Sequence, residues 1–200
     1  GVDFVRSTVS YVLADNLETL VLDGAADLVG TGNAVNNNLY GNLGSNTLAG
    51  GAGNDYLVGG AGNDVYVFNR GEGQDSIDNT DLLGAIDTLR FGTGIAESDV
   101  VGFQVGTTMV LKLKGTSEQV AFIDYYGADT VNGGLISDHK IDRVEFAHSV
   151  VWDQAMIQTV VNRAANNHAP VLTAALPGLQ AYVGNAFIYA VPVNTITDPD

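Results

Sequence analysis

Two adjacent nonapeptides set the architecture of the chain: GGAGNDYLV at residues 50–58 and GGAGNDVYV at residues 59–67. Both fit the template GGxGxDxUx, in which U is a large apolar residue. Two weaker units precede them in the same register, GNAVNNNLY at residues 32–40 and GNLGSNTLA at residues 41–49. Because two perfect units side by side are far more specific than an isolated glycine motif, residues 32–67 form a repeat of period nine.

The repeat resembles the RTX haemolysin-type calcium-binding nonapeptide. The resemblance implies a right-handed parallel β-roll, in which each unit is a six-residue turn and a three-residue strand, and two units complete one coil. Residues 68–77 keep GxGxDxU behind two extra residues, and residues 86–89 keep only the DxU ending, so both resemble worn closing coils. Residues 7–33 resemble a degenerate leader, with these expected core residues: Leu17, Leu20, Leu22 and Leu28.

The eighth position of each unit is predicted to form the interior of the roll. Side chains alternate along a strand, so when the middle of three residues points inward, its two neighbours point outward. Every eighth position is apolar or aromatic: Leu39, Leu48, Leu57, Tyr66, Ile77 and Leu89. The pattern therefore predicts a narrow apolar core between two parallel sheets.

The turns of such a roll alternate between two edges, with Asn37, Asp55 and Asp75 on one edge and Asn46, Asp64 and Asp87 on the other. Coils stack about 4.8 Å apart, so carboxylates of successive turns can contact one cation at roughly 2.4 Å. An irregular site of oxygen ligands suits calcium better than magnesium. Glycines permit positive φ and leave their carbonyls accessible. The predicted metal site residues are Asp55, Asp64, Asp75, Asp87, Asn46, Gly50, Gly51, Gly53, Gly59, Gly60, Gly62, Gly71 and Gly73.

These predicted sites are not equivalent. The pair Asp55 and Asp75 ranks first because both turns keep their glycines, whereas Asp64 can pair with either Asn46 or Asp87. The pair of Asn37 with Asp55 ranks last, since the first turn has valine in place of the third glycine. The alternative for all of them is a metal-free β-solenoid whose Asn and Asp residues cap turns.

Calcium is expected to control folding of the array. Two carboxylates about 5 Å apart repel each other by roughly 3 kcal/mol at an effective dielectric near 20, so the calcium-free array should fold poorly. The free energy of binding then becomes free energy of folding. In the RTX family, this implies a chain that stays unfolded in the cytoplasm, leaves by type I secretion and folds outside the cell.

The glycine period stops at Phe91, and β patterns follow at residues 100–105, 109–114, 120–125 and 143–146. Gly-Thr breaks between the first three predict a meander of antiparallel hairpins. The block resembles the haemolysin-type calcium-binding-related domain found after RTX repeats. Asp153 is the predicted N-cap of one short helix, whose apolar face is Met156, Ile157, Val160 and Val161.

Residues 162–169 are polar and small, which predicts a linker. Residues 170–172 and 187–200 resemble the first strands of a cadherin-like or Ig-like module, which needs roughly 100 residues to close. The predicted domains are therefore a β-roll with its leader at 1–91, a related β domain at 92–163, and a linker with a truncated module at 164–200. The chain is expected to be a fragment of a larger protein.

Composition excludes several classes of function. Eight Lys and Arg residues against 23 Asp and Glu residues leave a net charge of −15, which argues against nucleic acid and anionic lipid partners. No apolar run reaches the length of a membrane span, and the chain has no cysteine. Neither an HExxH helix nor a GxSxG elbow is present, and His139, His148 and His168 are expected to be surface residues. We therefore expect no catalytic site.

The leading hypothesis is a calcium-binding module of a large secreted or surface bacterial protein, acting as a stiff, adhesive spacer. An alternative is the targeting module of a secreted hydrolase or polysaccharide-modifying enzyme, with its catalytic domain elsewhere. A third possibility is polysaccharide or cell-surface binding by exposed aromatic residues, for which the candidates are Tyr40, Tyr56, Tyr125 and Tyr126.

Overall fold

The structure is a computed structural model that describes residues 1–82, 85–128, 130–132, 135–166, 171–172 and 196–197. The chain forms two compact units, Gly1–Ala164 and Ala165–Asp200. The described strands are β1 (Phe4–Ser7), β2 (Tyr11–Val12), β3 (Thr19–Leu22), β4 (Val29–Thr31), β5 (Asn38–Tyr40), β6 (Thr47–Ala49), β7 (Tyr56–Val58), β8 (Val65–Phe68), β9 (Gln74–Asp78), β10 (Asp81–Leu82), β11 (Thr88–Phe91), β12 (Val100–Val105), β13 (Thr108–Leu113), β14 (Gln119–Phe122), β15 (Thr130–Asn132), β16 (Leu135–Asp138), β17 (Arg143–Glu145), β18 (Val151–Asp153), β19 (Val171–Leu172) and β20 (Ile196–Thr197). A short 3-10 helix spans Glu97–Asp99, and the helix α1 spans Gln154–Asn166.

Successive strands of the repeat region alternate between two parallel sheets. One sheet has the order β1-β3-β5-β7-β9-β14-β13-β12, and the other has the order β18-β17-β11-β8-β6-β4-β2. In the first sheet Leu39 pairs with Leu57, and in the second Leu48 pairs with Tyr66. Each pair is two nonapeptides apart in sequence, so the predicted β-roll and all-β fold class are confirmed.

The core lies between these two sheets, where the eighth positions were predicted to point. All of them are buried: Leu39, Leu48, Leu57, Tyr66, Ile77 and Leu89. The leader contributes buried Leu20, Leu22 and Leu28, while Leu17 is partly buried and packs against the same cluster. One continuous apolar column therefore runs through the leader and the repeats.

Both sheets continue beyond Phe91. Strand β14 joins β9 in parallel, and β17 joins β11 in parallel, with Val144 opposite Leu89. The predicted meander is present as β12-β13-β14, whose neighbouring strands are antiparallel. The boundary between a roll and a following β domain stays a prediction, but the hydrogen-bonded sheets pass through it without a break.

The helix α1 begins after Asp153, whose Oδ1 accepts the backbone N–H of Met156 at 2.8 Å and confirms the predicted N-cap. Ile157 and Val161 are buried, and Val161 lies close to Gly102 of β12. The prediction for Met156 is wrong: its side chain is 46% exposed, on the solvent side of the first turn.

Two further features differ from the sequence-based expectations. The helix continues to Asn166, so the prediction that a linker starts at residue 162 is wrong. Asn162 and Arg163 are exposed residues of this helix, and Gln158 donates to the Asn162 side chain at 2.8 Å. Residues 151–153 form β18, which pairs antiparallel with β17 and was not predicted.

In the second unit, β19 and β20 form an antiparallel pair with Val171 opposite Thr197. Strands at Val171–Leu172 and Ile196–Thr197 agree with the sequence pattern, whereas the rest of the segment at 187–200 lies outside the described residues. Within the described part of the chain, no helix has the length and apolar character needed to cross a membrane.

The core position of Leu48 predicts a large cost for its truncation. Leu48→Ala removes a fully buried side chain and should lower the free energy of unfolding by about 2–5 kcal/mol, measured by denaturant unfolding in calcium. The control Leu43→Ala changes a side chain that is 71% exposed and should stay within about 0.5 kcal/mol of wild type. Equal effects of the two substitutions would contradict the assigned register.

Candidate metal centre

On the first edge of the roll, each aspartate at the sixth position reaches back to the preceding coil. The Oδ1 atom of Asp55 accepts the backbone N–H of Asn37 at 2.7 Å, and the Oδ1 atom of Asp75 accepts that of Asp55 at 3.0 Å. The two-residue insertion before Asp75 therefore does not remove it from the column. The structure brings Asn37, Asp55 and Asp75 together as predicted.

The second edge repeats this geometry and extends it by one coil. Asp64 accepts the N–H of Asn46 at 2.7 Å, and Asp87 accepts that of Asp64 at 2.7 Å although its own turn lacks the glycine pattern of the repeat. Asp142 then accepts the N–H of Asp87 at 2.9 Å. Asp142 was not among the predicted site residues, although the sequence Asp142-Arg143-Val144 repeats the DxU ending.

The fifth position forms a second ladder, which runs in the opposite direction. The Asn54 backbone N–H donates to Asn36 Oδ1 at 2.9 Å, and the Asn63 N–H donates to Ser45 Oγ at 3.1 Å. Gln74 continues the first edge by donating to Asn54 Oδ1 at 2.9 Å. The template left the fifth position undefined, but its small polar residues in all four units were the available signal.

Two carboxylate oxygens in this array lack a protein partner. Among the described residues, Asp55 Oδ2 and Asp75 Oδ2 are buried without a hydrogen bond, in side chains of residues that are only 2% and 1% exposed. Burying a charged oxygen without a partner is costly, and buried polar atoms are normally satisfied. These two atoms therefore fit a bound cation.

The buried carboxylates are also difficult to ionise in the metal-free fold. Burial raises the pKa of Asp75 to about 8 and that of Asp64 to about 7. Burial likewise raises the pKa of both Asp55 and Asp87 to about 6. Hydrogen bonds from the backbone oppose these shifts, while neighbouring carboxylates add to them. A divalent cation would favour the ionised form of all four groups.

The glycines give the carboxylates and carbonyls room to approach each other. A Cβ atom at Gly50 or Gly59 would collide with the carboxylate of its own turn, Asp55 or Asp64. A Cβ atom at Gly51 would collide with the carbonyl oxygen of the preceding turn. The following predicted glycines have positive φ: Gly51, Gly53, Gly60, Gly62, Gly71 and Gly73. Their ligand roles stay predictions, but a side chain at these positions would disturb the turns.

The second edge contains a buried polar network around the Tyr66 hydroxyl. The buried hydroxyl of Tyr66 accepts the N–H of Gly59 at 2.9 Å and donates to Asn79 Oδ1 at 2.8 Å. The amide of Asn79 donates to Asp87 Oδ2 at 2.9 Å. Asp87 therefore has protein partners on both oxygens, whereas the Oδ2 atoms of Asp55 and Asp75 have none among the described residues.

The donor set determines which metal these turns suit. Within the described ranges, no three His, Cys, Asp or Glu side chains converge on a common point. A cation between turns would therefore need backbone carbonyl oxygens in addition to paired carboxylates. Such a mixed, irregular oxygen set suits calcium, which takes six to eight ligands, better than octahedral magnesium.

The structure also bears on the tyrosines considered for sugar binding. Tyr125 is only 4% exposed and packs on Phe122, so its assignment to a surface platform is wrong. Tyr40 and Tyr56 contact each other edge to face with ring centroids 6.2 Å apart, and the Tyr56 hydroxyl donates to Asp78 at 3.0 Å.

A family model of the RTX calcium-binding nonapeptide repeat matches residues 31–66 in four copies. Residues 31–66 are RTX calcium-binding repeats. The chain is also similar to the iron-regulated protein FrpA of Neisseria meningitidis serogroup C, at 42% identity over 139 residues. The similarity covers 69% of this chain and 12% of that relative, so the chain spans only a small part of the relative's length.

The effect of crowding around Gly51 on stability can be measured separately from the effect of its positive φ. Gly24 and Gly51 have similar φ values of 95° and 93°, but a Cβ atom at Gly24 meets nothing within 4 Å. Gly24→Ala should lower the free energy of unfolding by about 1–2 kcal/mol through its positive φ. Gly51→Ala should cost about 3–4 kcal/mol, because the collision is added. Equal losses in denaturant unfolding would contradict the close stacking of RTX turns.

The raised pKa values predict how the stability of the metal-free protein depends on pH. The folded pKa of Asp75, about 8, lies above the ordinary value of 3.8, so the folded state favours the protonated acid. Its stabilising contribution is complete below about pH 4 and is lost as pH rises through 8. The Tm in chelator should therefore fall from pH 5 to pH 8, and Asp75→Asn should reduce that slope. A Tm that rises over this range would overturn the prediction.

Proposed function

We propose that this chain is a calcium-dependent folding module of a secreted protein. The observation that carries the proposal is the pair of buried carboxylate oxygens, Asp55 Oδ2 and Asp75 Oδ2, that have no partner among the described residues. RTX repeats bind calcium, and Asp55 lies in one of the two complete repeats. Asp75 lies in the next turn of the same edge, which keeps Gly71 and Gly73. Asp55 and Asp75 are the proposed principal ligands, with Asp64, Asp87 and Asn46 serving the opposite edge.

Calcium would couple binding to folding in this chain through the burial of charge. The coils stack only when the aspartates of successive turns enter the edge of the roll, where burial disfavours their ionised forms. Calcium supplies the charge that these carboxylates need. Because the turns do not exist in the unfolded chain, calcium binds the folded state preferentially and stabilises it.

This coupling supports a role in export. A chain whose array stays unfolded at cytoplasmic calcium levels would pass a type I secretion machine and then fold in an extracellular, calcium-rich medium. An acidic chain with a net charge of −15 also gains solubility from that charge before calcium binds. We therefore propose an extracellular or cell-surface location.

A stiff spacer with an adhesive role is the proposed task of the folded module. Two sheets run the length of the Gly1–Ala164 unit, and their strands are hydrogen-bonded from the leader to β17 and β12.

Both histidines in the described part of the chain form side-chain hydrogen bonds. His139 contacts Thr80, and His148 contacts Glu97. These contacts support structural roles for both and give no reason to propose catalysis.

The alternative is a targeting module for a secreted enzyme. It places the catalytic domain in another part of the parent protein, and the similarity to FrpA covers only 12% of that relative, so there is room for one. A catalytic motif in the rest of the parent protein would support this alternative. Further repeats in its place would support the spacer.

Calcium-coupled folding can be tested with charge-neutralising variants that keep the ladder acceptors. Asn retains an Oδ1 atom for the hydrogen bonds to Asn37 and Asp55, so Asp55→Asn with Asp75→Asn removes charge with little change of shape. Far-UV circular dichroism should show an increase in β structure with calcium, but not with equal magnesium, and a decrease with chelator. The double variant should need at least about tenfold more calcium, equivalent to roughly 1.4 kcal/mol.

The matched control is Asp15→Asn, which neutralises an exposed aspartate of the leader turn on the same edge. It should leave the calcium midpoint within about twofold of wild type. Identical β structure in calcium and in chelator, or a double variant with the wild-type midpoint, would overturn the proposed coupling.

A further inference from the structure

The first two turns of the repeat differ from the later ones at the second position. In the turns at 50–55 and 59–64, this position is a glycine with φ of 93° or 94°. In the turns at 32–37 and 41–46 it is an asparagine, Asn33 or Asn42, and neither is among the described non-glycine residues with positive φ. The earlier turns therefore place a side chain where the later turns have none.

The side chain of Asn33 bridges two successive turns of the first edge. Its Nδ2 atom donates to the carbonyl oxygens of Ala14 and Leu17, at 2.7 and 2.8 Å, in the preceding turn. Its Oδ1 atom accepts the N–H of Val35 at 3.0 Å within its own turn. Asn37 supports this arrangement by donating to Asn33 Oδ1 at 3.1 Å and to Leu17 O at 3.0 Å.

The side chain of Asn42 makes the same bridge on the second edge. Its Nδ2 atom donates to the carbonyl oxygens of Ala26 and Asp23, at 3.0 and 3.3 Å, in the preceding turn. Its Oδ1 atom accepts the N–H of Gly44 at 2.8 Å. The asparagine at the sixth position again donates to it, from Asn46 Nδ2 at 3.0 Å. Two turns on opposite edges therefore have the same arrangement of asparagine hydrogen bonds.

We propose that Asn33 and Asn42 exclude cations from these two interfaces and make the first coils of the roll independent of calcium. Each amide donates two hydrogens to carbonyl oxygens of the turn before it. A cation between the same turns would need those oxygens as ligands. Because the amide is neutral and donates its own hydrogen bonds, it stabilises the stacking of these turns without burying a charge that a cation would have to neutralise.

The calcium requirement then begins one coil later. The interfaces that follow contain Asp55 and Asp75 on one edge and Asp64 and Asp87 on the other, all buried carboxylates. Strands β3 to β6 are held by amides, and they present β5 and β6 as the parallel edges on which β7 and β8 pair. The amide-held coils are therefore a template that calcium extends. This inference rests on the proposed coupling of calcium to folding of the later coils.

Hydrogen exchange measured by mass spectrometry on the full chain tests the inference. In chelator, the amides of β3 to β6 should exchange at least about tenfold more slowly than those of β7 to β9, and calcium should slow exchange in the latter group. The variant Asn33→Ala with Asn42→Ala should lose the protection of β3 to β6 in chelator. Its calcium stoichiometry by native mass spectrometry should equal that of wild type.

A matched control removes a different side chain of the same turn. Asn36→Ala deletes the acceptor for the Asn54 N–H but leaves both amide bridges intact, so β3 to β6 should keep their protection in chelator. Loss of protection in all strands of the wild-type chain in chelator would overturn this inference alone. A lower calcium stoichiometry in the Asn33/Asn42 variant would also overturn it. Exchange unaffected by chelator in every strand would instead overturn the proposed coupling on which it rests.

Discussion

Stacking of each turn on the turn one coil earlier is the constraint on which this structure depends. Coils in a parallel sheet lie about 4.8 Å apart, and at that distance every polar group at the edge must find a partner in the neighbouring coil. Asp55 and Asp64 do so with one oxygen, by accepting a backbone N–H from the preceding turn. The apolar column below the turns adds cohesion, but it does not remove the cost of burying carboxylates. The molecule therefore requires either a cation or a neutral substitute between its turns.

Both solutions occur along the same roll. The early turns use the amides of Asn33 and Asn42, which satisfy the carbonyl oxygens before them. The later turns use aspartate and leave Asp55 Oδ2 and Asp75 Oδ2 without a partner among the described residues. The repeats change from asparagine to aspartate along the chain. The early turns are therefore held together by amide hydrogen bonds, and the later turns need calcium. The coils before this change form the template, and the coils after it pair with the template when calcium binds.

Much of the fold was predictable because the repeat is local and periodic. A period of nine with an apolar eighth position leaves little freedom, so spacing alone placed Leu39, Leu48 and Leu57 correctly in the core. The long-range pairings of β14 with β9 and of β17 with β11 were not predicted, since they join segments separated by irregular chain. Met156 was misplaced because the apolar face of α1 is narrower than its sequence indicates. For the site, the two aspartate columns followed from the period, whereas the bridges of Asn33 and Asn42 depend on side-chain direction, which the template does not encode.

The dependence of Tm on free calcium distinguishes calcium-linked folding from a fold that needs no cation. If folding and binding are linked, Tm rises steadily with the logarithm of free calcium above the dissociation constant, because calcium binds the folded state in preference to the unfolded chain. Calcium-linked folding predicts this rise for calcium and a nearly flat line for magnesium at the same concentrations. A Tm that does not change from chelator to millimolar calcium would show that the aspartate columns need no cation and would contradict calcium-linked folding.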